Sequence, residues 1–248
     1  MGTDLFNGAD RALLRHTDFG RLPHDAATFL IDLLHETGLR GGTVVDLGCG
    51  SGILARKLLT AGYDAFGVDV NRDLLDMAAR EAPEAQFWCG SVLDAPLPTA
   101  VAVAATGEVL NYAADRRAGY GTLAGLARRV AAALVPDGVF LFDLSTPGRC
   151  GPEGVLRQWH DREELTLYME SREDSSQQVL DRRVTMFQQT GPGTYRRSDE
   201  RHVLRLFDPE IVLEHLVAAG LRPEEVGGYP AGQPMVPPDG WSVFMARK

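Results

Sequence analysis

The residues best suited to chemistry lie in Val44-Val45-Asp46-Leu47-Gly48-Cys49-Gly50-Ser51-Gly52, an apolar run that passes into an acid-led glycine turn. Glycine lacks a Cβ, so such a turn can take left-handed backbone and let a ligand lie against the main chain. A helix that follows offers unpaired amides to polar or anionic groups. A dinucleotide fingerprint requires a third glycine three residues after the second. Ile53 stands there, and Gly52 arrives one residue early. No Gly-Lys-Ser/Thr follows, which disfavours a phosphate-binding P-loop. A second acid, Asp69, closes the apolar run Phe66-Gly67-Val68-Asp69, where a carboxylate can accept both hydroxyls of a ribose. Asn71 and Asp73 are at hand to cap the next helix, so Asp69 is not needed for that task.

These groups need a scaffold, and the pattern around them describes one. Short apolar strands are expected at Thr43 to Leu47, Ala65 to Asp69, Gln86 to Cys89, Ala100 to Ala105 and Val139 to Leu144. Helical patterns fall between them at Ile53 to Thr60, Asp73 to Arg80 and Leu123 to Leu134, an alternation that builds a parallel sheet with helices on both faces. Pro136, Asp137 and Gly138 are expected to close the last helix before the fifth strand. Upstream, His24 to His35 has the apolar spacing of an amphipathic helix lying on the sheet and covering part of the pocket. From about Trp159 to Arg205 the texture turns to alternation, as in Leu165-Thr166-Leu167, which favours antiparallel strands. Asp208 then reads as an N-cap with Pro209 at the first helical position, Gly220 ends that helix, and Trp241 to Ala246 reads as a closing strand. The units expected are 1-149, the N-terminal helix and α/β core; 150-205, an inserted β element; and 206-248, the returning helix and strands.

Composition narrows the function classes. The 248 residues carry a formal net charge of -9, which opposes a phosphate backbone and speaks against nucleic acid. Arg196 and Arg197 sit in a segment of mixed sign and read as surface. Cys49, Cys89 and Cys150 are too few and too scattered for a disulfide framework, and no ligand spacing suggests a metal, which fits a cytoplasmic setting. The segment Met1 to Phe6 lacks a secretion signal and a myristoylation signal, and no apolar run reaches membrane-spanning length. A soluble protein with no membrane partner, monomeric or homodimeric, is expected.

Asp46-Leu47-Gly48-Cys49-Gly50-Ser51-Gly52 resembles the first motif of class I methyltransferases that use S-adenosylmethionine, and it matches Asp-x-Gly-x-Gly-x-Gly throughout. The resemblance implies an α/β fold: a doubly wound, mainly parallel seven-stranded sheet with helices on both faces and an inserted antiparallel β lid. It implies S-adenosylmethionine as cofactor and S-adenosylhomocysteine as product, with no metal. The cofactor-binding residues that follow from it are Asp46, Gly48, Cys49, Gly50, Gly52, Asp69, Val70, Ser91, Val92 and Glu108. Ser91 departs from the common form, in which many relatives place Asp, so the adenine amino group would be met by Ser91, a backbone carbonyl or water.

The segment Thr106-Gly107-Glu108-Val109-Leu110-Asn111-Tyr112 follows the fourth strand, at the carboxyl edge where open α/β sheets bind ligands. Asn111 and Tyr112 are expected to contact a small-molecule acceptor. Asn111-Tyr112 lacks the two prolines of the amino methyltransferases that act on DNA, in agreement with the acidic charge. In-line methyl displacement draws about 7 to 11 kcal/mol from positioning, whereas a general base adds about 3 to 5 kcal/mol, so an obvious base is not required. If one exists, Glu108 and His202 are the candidates, His202 near the end of the inserted strands where it could equally be a hydrogen-bonded sheet residue. The acceptor nucleophile, N, O or C, stays open. A protein or RNA methyltransferase of the same fold and a non-catalytic cofactor-binding protein are the alternatives.

Overall fold

A computed structural model describes residues 18–113, 117–162, 165–226, 229 and 240–248. The readings made of Met1 to Phe6 lie outside the described residues. Helix α1 (Asp18–Glu36) runs into β1 (Thr43–Leu47), then α2 (Ile53–Thr60), β2 (Asp64–Asp69), α3 (Arg72–Glu81), β3 (Gln86–Cys89) and β4 (Ala100–Ala105). A 3-10 turn (Val109–Asn111) leads to α4 (Tyr120–Ala133) and β5 (Leu134–Ser145). Four strands follow, β6 (Val155–Arg162), β7 (Leu165–Asp174), β8 (Val179–Gly191) and β9 (Thr194–Arg205), and then α5 (Pro209–Ala218), β10 (Arg222–Val226) and β11 (Trp241–Arg247).

The strands form a seven-stranded sheet in the order β10-β11-β5-β4-β1-β2-β3 and a separate four-stranded sheet in the order β6-β7-β8-β9. In the large sheet β1 to β5 are parallel neighbours, while β11 runs antiparallel to both β5 and β10. Successive side chains of a strand point to opposite faces, and here both faces are covered. Val45, Leu47, Val103, Phe140 and Phe142 pack with Leu126 and Val130 of α4 and with Leu216 of α5. Val44, Ala102, Ala104 and Leu141 pack on the other side with Leu30 and Leu34 of α1 and Leu54 and Leu58 of α2. Every residue of β4 is buried, which explains its unbroken apolar run.

One expected boundary is corrected. The α4 helix stops at Ala133, and Leu134 already has extended backbone and pairs with Ala100 of β4. Pro136, Asp137 and Gly138 therefore lie inside β5 at a register shift and not in a loop before it. Asp137 takes a positive φ of 61°, and a Cβ on Gly138 would come 2.8 Å from the Val135 carbonyl oxygen. The bulge absorbs the proline that a regular strand would exclude.

The small sheet is an antiparallel meander. Leu165, Leu167, Met169, Val184 and Met186 form its buried cluster. Register puts His202 opposite Arg182 and Glu200 opposite Val184, so these polar residues share the face of the buried apolar ones. Its edge strand β9 does not stand free: Tyr112 bridges Leu204, and the Ala113 amide donates to the Val203 carbonyl at 2.9 Å.

Candidate active site

Strand order reverses between β1 and β4, and the turns leaving these two strands open the crevice where doubly wound sheets bind ligands. Gly48, Gly50 and Gly52 all take positive φ, at 79°, 52° and 84°. Their surroundings differ. A Cβ on Gly48 would lie 2.2 Å from Val109, and one on Gly52 would lie 2.9 Å from Ala78 of α3, whereas one on Gly50 would meet nothing within 4 Å. Gly48 and Gly52 serve close packing and Gly50 faces open space. The amides of Gly48 and Cys49 donate to the Val68 carbonyl at 2.7 and 2.9 Å, tying the loop to β2. Gly52 is the N-cap of α2 without a side-chain cap, so the first amides of that helix stay available.

Asp69 ends β2 beside this loop. One carboxylate oxygen accepts the Gly50 amide at 3.0 Å and the other accepts the Asn71 amide at 2.8 Å, while Asn71 itself caps α3 through Leu74. Each oxygen of a carboxylate has two lone-pair sites, and these backbone contacts aim the group. Asp46 is buried on β1, and burial together with the nearby Asp69 pushes its carboxyl up to about 7. The Cys49 thiol is raised by burial and by both acids, which makes it unreactive. Val70 is exposed at the mouth, and Val92 packs on the core. The Ser91 hydroxyl accepts the Leu93 amide at 3.2 Å, an ordinary turn contact.

S-adenosylmethionine has a diol, an adenine and a charged amino-acid end. The residues present fit it: a preset carboxylate for the diol, uncapped amides at α2, and left-handed Gly50 and Gly107 with no atom within 4 Å of where a Cβ would stand.

Asn111 and Glu108 are both engaged within the fold. Asn111 is fully buried; its amide nitrogen donates to the carbonyls of Ser145 and Arg205 at 2.8 and 2.6 Å, and its oxygen accepts the Ser145 amide at 3.0 Å. Both its N–H groups are used in joining β5 to β9, so it presents no donor to an acceptor molecule. Glu108 is equally occupied. It takes φ 60° and is buried, and its carboxylate accepts Ser145 Oγ at 2.5 Å and Arg182 Nη1 at 2.7 Å, with Arg149 Nη2 at 3.3 Å. Burial alone would raise its pKa, but Arg182, Arg149 and Ser145 together hold it below the usual carboxylate value. A carboxylate stabilised in this way is a poor general base.

Sequence reasoning missed the groups that carry these contacts. Asp143 of β5 is fully buried and accepts the amides of Gly107 and Glu108 at 2.8 and 2.5 Å, which fixes the turn after β4. Burial raises its carboxyl to about 7 against these hydrogen bonds. Glu173 of β7 accepts the Gly148 and Cys150 amides and anchors the segment that leads into the small sheet. Alternation placed Glu173 and Arg182 on strands, but no local signal named their partners.

His202 and Tyr112 do come together, with ring centroids 5.4 Å apart in an edge-on arrangement. His202 Nε2 lies 2.8 Å from Glu200 Oε2, and the two side chains are 19% and 7% exposed. Burial is the main cause that lifts the Tyr112 hydroxyl to about 12, with Arg182 opposing and Glu108, Glu200 and Asp69 adding to the rise.

Fold and crevice together define the architecture of the class I S-adenosylmethionine-dependent methyltransferases. Residues 44–138 match the methyltransferase domain family. A ubiquinone biosynthesis O-methyltransferase of Methylococcus capsulatus is 47% identical over 49 residues, which cover 20% of this chain and 21% of that protein. The chain thus spans about a fifth of that relative's length. The dTDP-3-amino-3,6-dideoxy-alpha-D-glucopyranose N,N-dimethyltransferase of Streptomyces fradiae is 25% identical over 234 residues, covering 89% of this chain and 86% of that one. Among solved structures, an S-adenosylmethionine-dependent methyltransferase from Clostridium acetobutylicum superposes with a TM-score of 0.80 at 18% identity, covering 95% and 96% of the two chains. An amino pentose methyltransferase from Micromonospora echinaspora gives 0.76 at 20% identity, covering 100% and 99%.

Proposed function

We propose that this protein transfers a methyl group from S-adenosylmethionine to the amino nitrogen of a small polar acceptor of the amino-sugar class. The observation that carries the methyl-donor part is the Gly50 to Asp69 contact at the strand-order reversal, which presets a diol-binding carboxylate beside open glycine backbone. The donor supplies an electrophilic methyl carbon on a cationic sulfur. The chain's contribution is to bind the donor along the loop from Gly48 to Gly52, to align the acceptor and to exclude water. Val70, Ser91 and Val92 are assigned to the adenine side, and Tyr112 to the acceptor side.

The amino-sugar class rests on the Streptomyces fradiae relative, whose alignment runs through the inserted strands as well as the core. A polymer substrate is less well supported. Arg197 pairs with Asp199 at 2.9 Å and Arg196 with Gln188, so these cations are engaged with neighbours on the sheet. Among the described residues no helix is long and apolar enough to cross a membrane.

Incubation with methyl-labelled S-adenosylmethionine tests the reading directly. Nucleotide-linked amino sugars, their 3-hydroxy counterparts, a peptide mixture and total RNA serve as acceptors. Label is expected on the amino sugars alone. Transfer to the hydroxy compounds would move the nucleophile to oxygen, and transfer to peptide or RNA would overturn the small-molecule assignment. Binding of S-adenosylhomocysteine without transfer to any acceptor would favour a non-catalytic binding protein.

A further inference from the structure

We infer that Glu200 and His202 form a dyad in which Glu200 fixes the tautomer of His202, and His202 Nδ1 receives the proton that the acceptor ammonium must lose. The inference rests on the amino-acceptor reading and names the residue that makes the amine nucleophilic. Glu200 was not among the groups singled out in the sequence.

The dyad follows from strand geometry. Residues two apart on one strand project from the same face, and on β9 Glu200 and His202 are such a pair. Their side chains meet at 2.8 Å, and both are largely withdrawn from solvent. A buried carboxylate accepts hydrogen bonds and donates none when ionised. It therefore holds the imidazole proton on Nε2, and the ring presents the Nδ1 lone pair. The Tyr112 ring stands edge-on to that imidazole, and Tyr112 bridges Leu204 of the same strand. The dyad thus lies against Tyr112, the residue proposed above for the acceptor side.

Neighbouring charges decide which acid or base can serve. Arg182 lies opposite His202 in register but gives its guanidinium to Glu108, and Arg149 joins the same carboxylate. Glu108 is consumed as an ion pair, whereas His202 has one ring nitrogen committed to Glu200. An amino sugar enters as R–NH3+ and cannot attack until it loses a proton. That proton passes to Nδ1, and the freed lone pair forms the N–C bond to the methyl carbon. The S–C bond breaks and leaves its electron pair on sulfur. The imidazolium later returns its proton to water. Methyl transfer to the amine leaves one positive charge on the product and none on sulfur, so charge is conserved.

His202 is a catalytic residue in this scheme and Glu200 a positioning residue, which sets the measurements. Protein labelled with 15N-histidine is saturated with S-adenosylhomocysteine and studied by long-range 1H–15N correlation. The His202 signal is identified by its loss in His202→Gln. The expected result is the Nε2–H tautomer in the wild type and a mixture of tautomers in Glu200→Gln. In turnover with the amino acceptor, Glu200→Gln should lower kcat about tenfold while KM and the S-adenosylhomocysteine Kd change less than about threefold, and Glu200→Asp should recover part of kcat. His202→Gln should lose at least as much as Glu200→Gln. An Nδ1–H tautomer in the wild type, or unchanged kcat in Glu200→Gln, overturns the dyad. A wild type that shows the expected tautomer yet methylates only hydroxyl acceptors overturns the amine reading and the proton step while leaving the Glu200 contact standing.

Discussion

The glycine loop after β1 and the inserted sheet place their groups by different means. The loop from Gly48 to Gly52 presents main-chain groups, and its shape follows from absent side chains: Gly48 fits under Val109, Gly52 fits over Ala78, and Gly50 faces open space. The inserted sheet presents side chains, and their placement follows from register, which brings Glu200, His202 and Arg182 to one face. A glycine loop tolerates almost no substitution at its packed positions, because a methyl group has nowhere to go. A sheet face tolerates many exchanges and can be retuned one residue at a time. On the proposed function, this contrast suits a constant methyl donor and a particular acceptor.

The largest break in that comparison should come at Gly48. In Gly48→Val the new Cβ would fall on Val109 and the residue would have to keep φ 79°. Overpacking and left-handed backbone together predict a loss of about 4 kcal/mol in urea unfolding. Stability near that of the wild type would show that the loop relaxes and that its shape is not set by packing.

Arg182→Leu should come next, because it acts on the joint between the two regions. Arg182 and Glu108 are 14% and 8% exposed, and removing one partner leaves Glu108 with Arg149 and Ser145 alone. A loss of about 3 kcal/mol at pH 7 is expected by urea unfolding. The pH dependence has a definite sign. Glu108 is held below its ordinary value of 4.5, so its pairing contributes above that pH and is lost as pH falls through the lower folded value. The wild type should therefore lose stability below about pH 4.5, and Arg182→Leu should be weaker at neutrality but flatter in that acid range. A variant with the wild-type acid profile would remove Arg182 as the cause.

The smallest of these effects is expected at Asp69, and it sharpens the comparison by separating binding from folding. Asp69→Ala should weaken S-adenosylhomocysteine binding by about 2 kcal/mol in calorimetry, through loss of charged hydrogen bonds to a diol. The fold should persist, since Asn71 still caps α3. Wild-type affinity would place the ligand elsewhere.

Local sequence determined the glycine-loop side of the crevice. Strand and helix periods are short-range properties, and the loop from Asp46 to Gly52, Asp69 at a strand end, and the break in glycine spacing at Ile53 all act within a few residues of themselves. The large sheet and the antiparallel texture after it were legible for the same reason. Tertiary structure alone decided what the polar residues of the cleft do. Asn111 and Glu108 read as ligand contacts because they follow β4, yet Asn111 is spent on Ser145 and Arg205, and Glu108 on Arg149 and Arg182, with contacts that reach from 34 to 94 residues along the chain. The helix end before β5 was misplaced because pairing of Leu134 with Ala100 is a long-range hydrogen-bond decision that no helical pattern encodes. Whether a buried polar side chain serves a ligand or the fold depends on which donors and acceptors the distant strands bring to it, and only the folded chain supplies them.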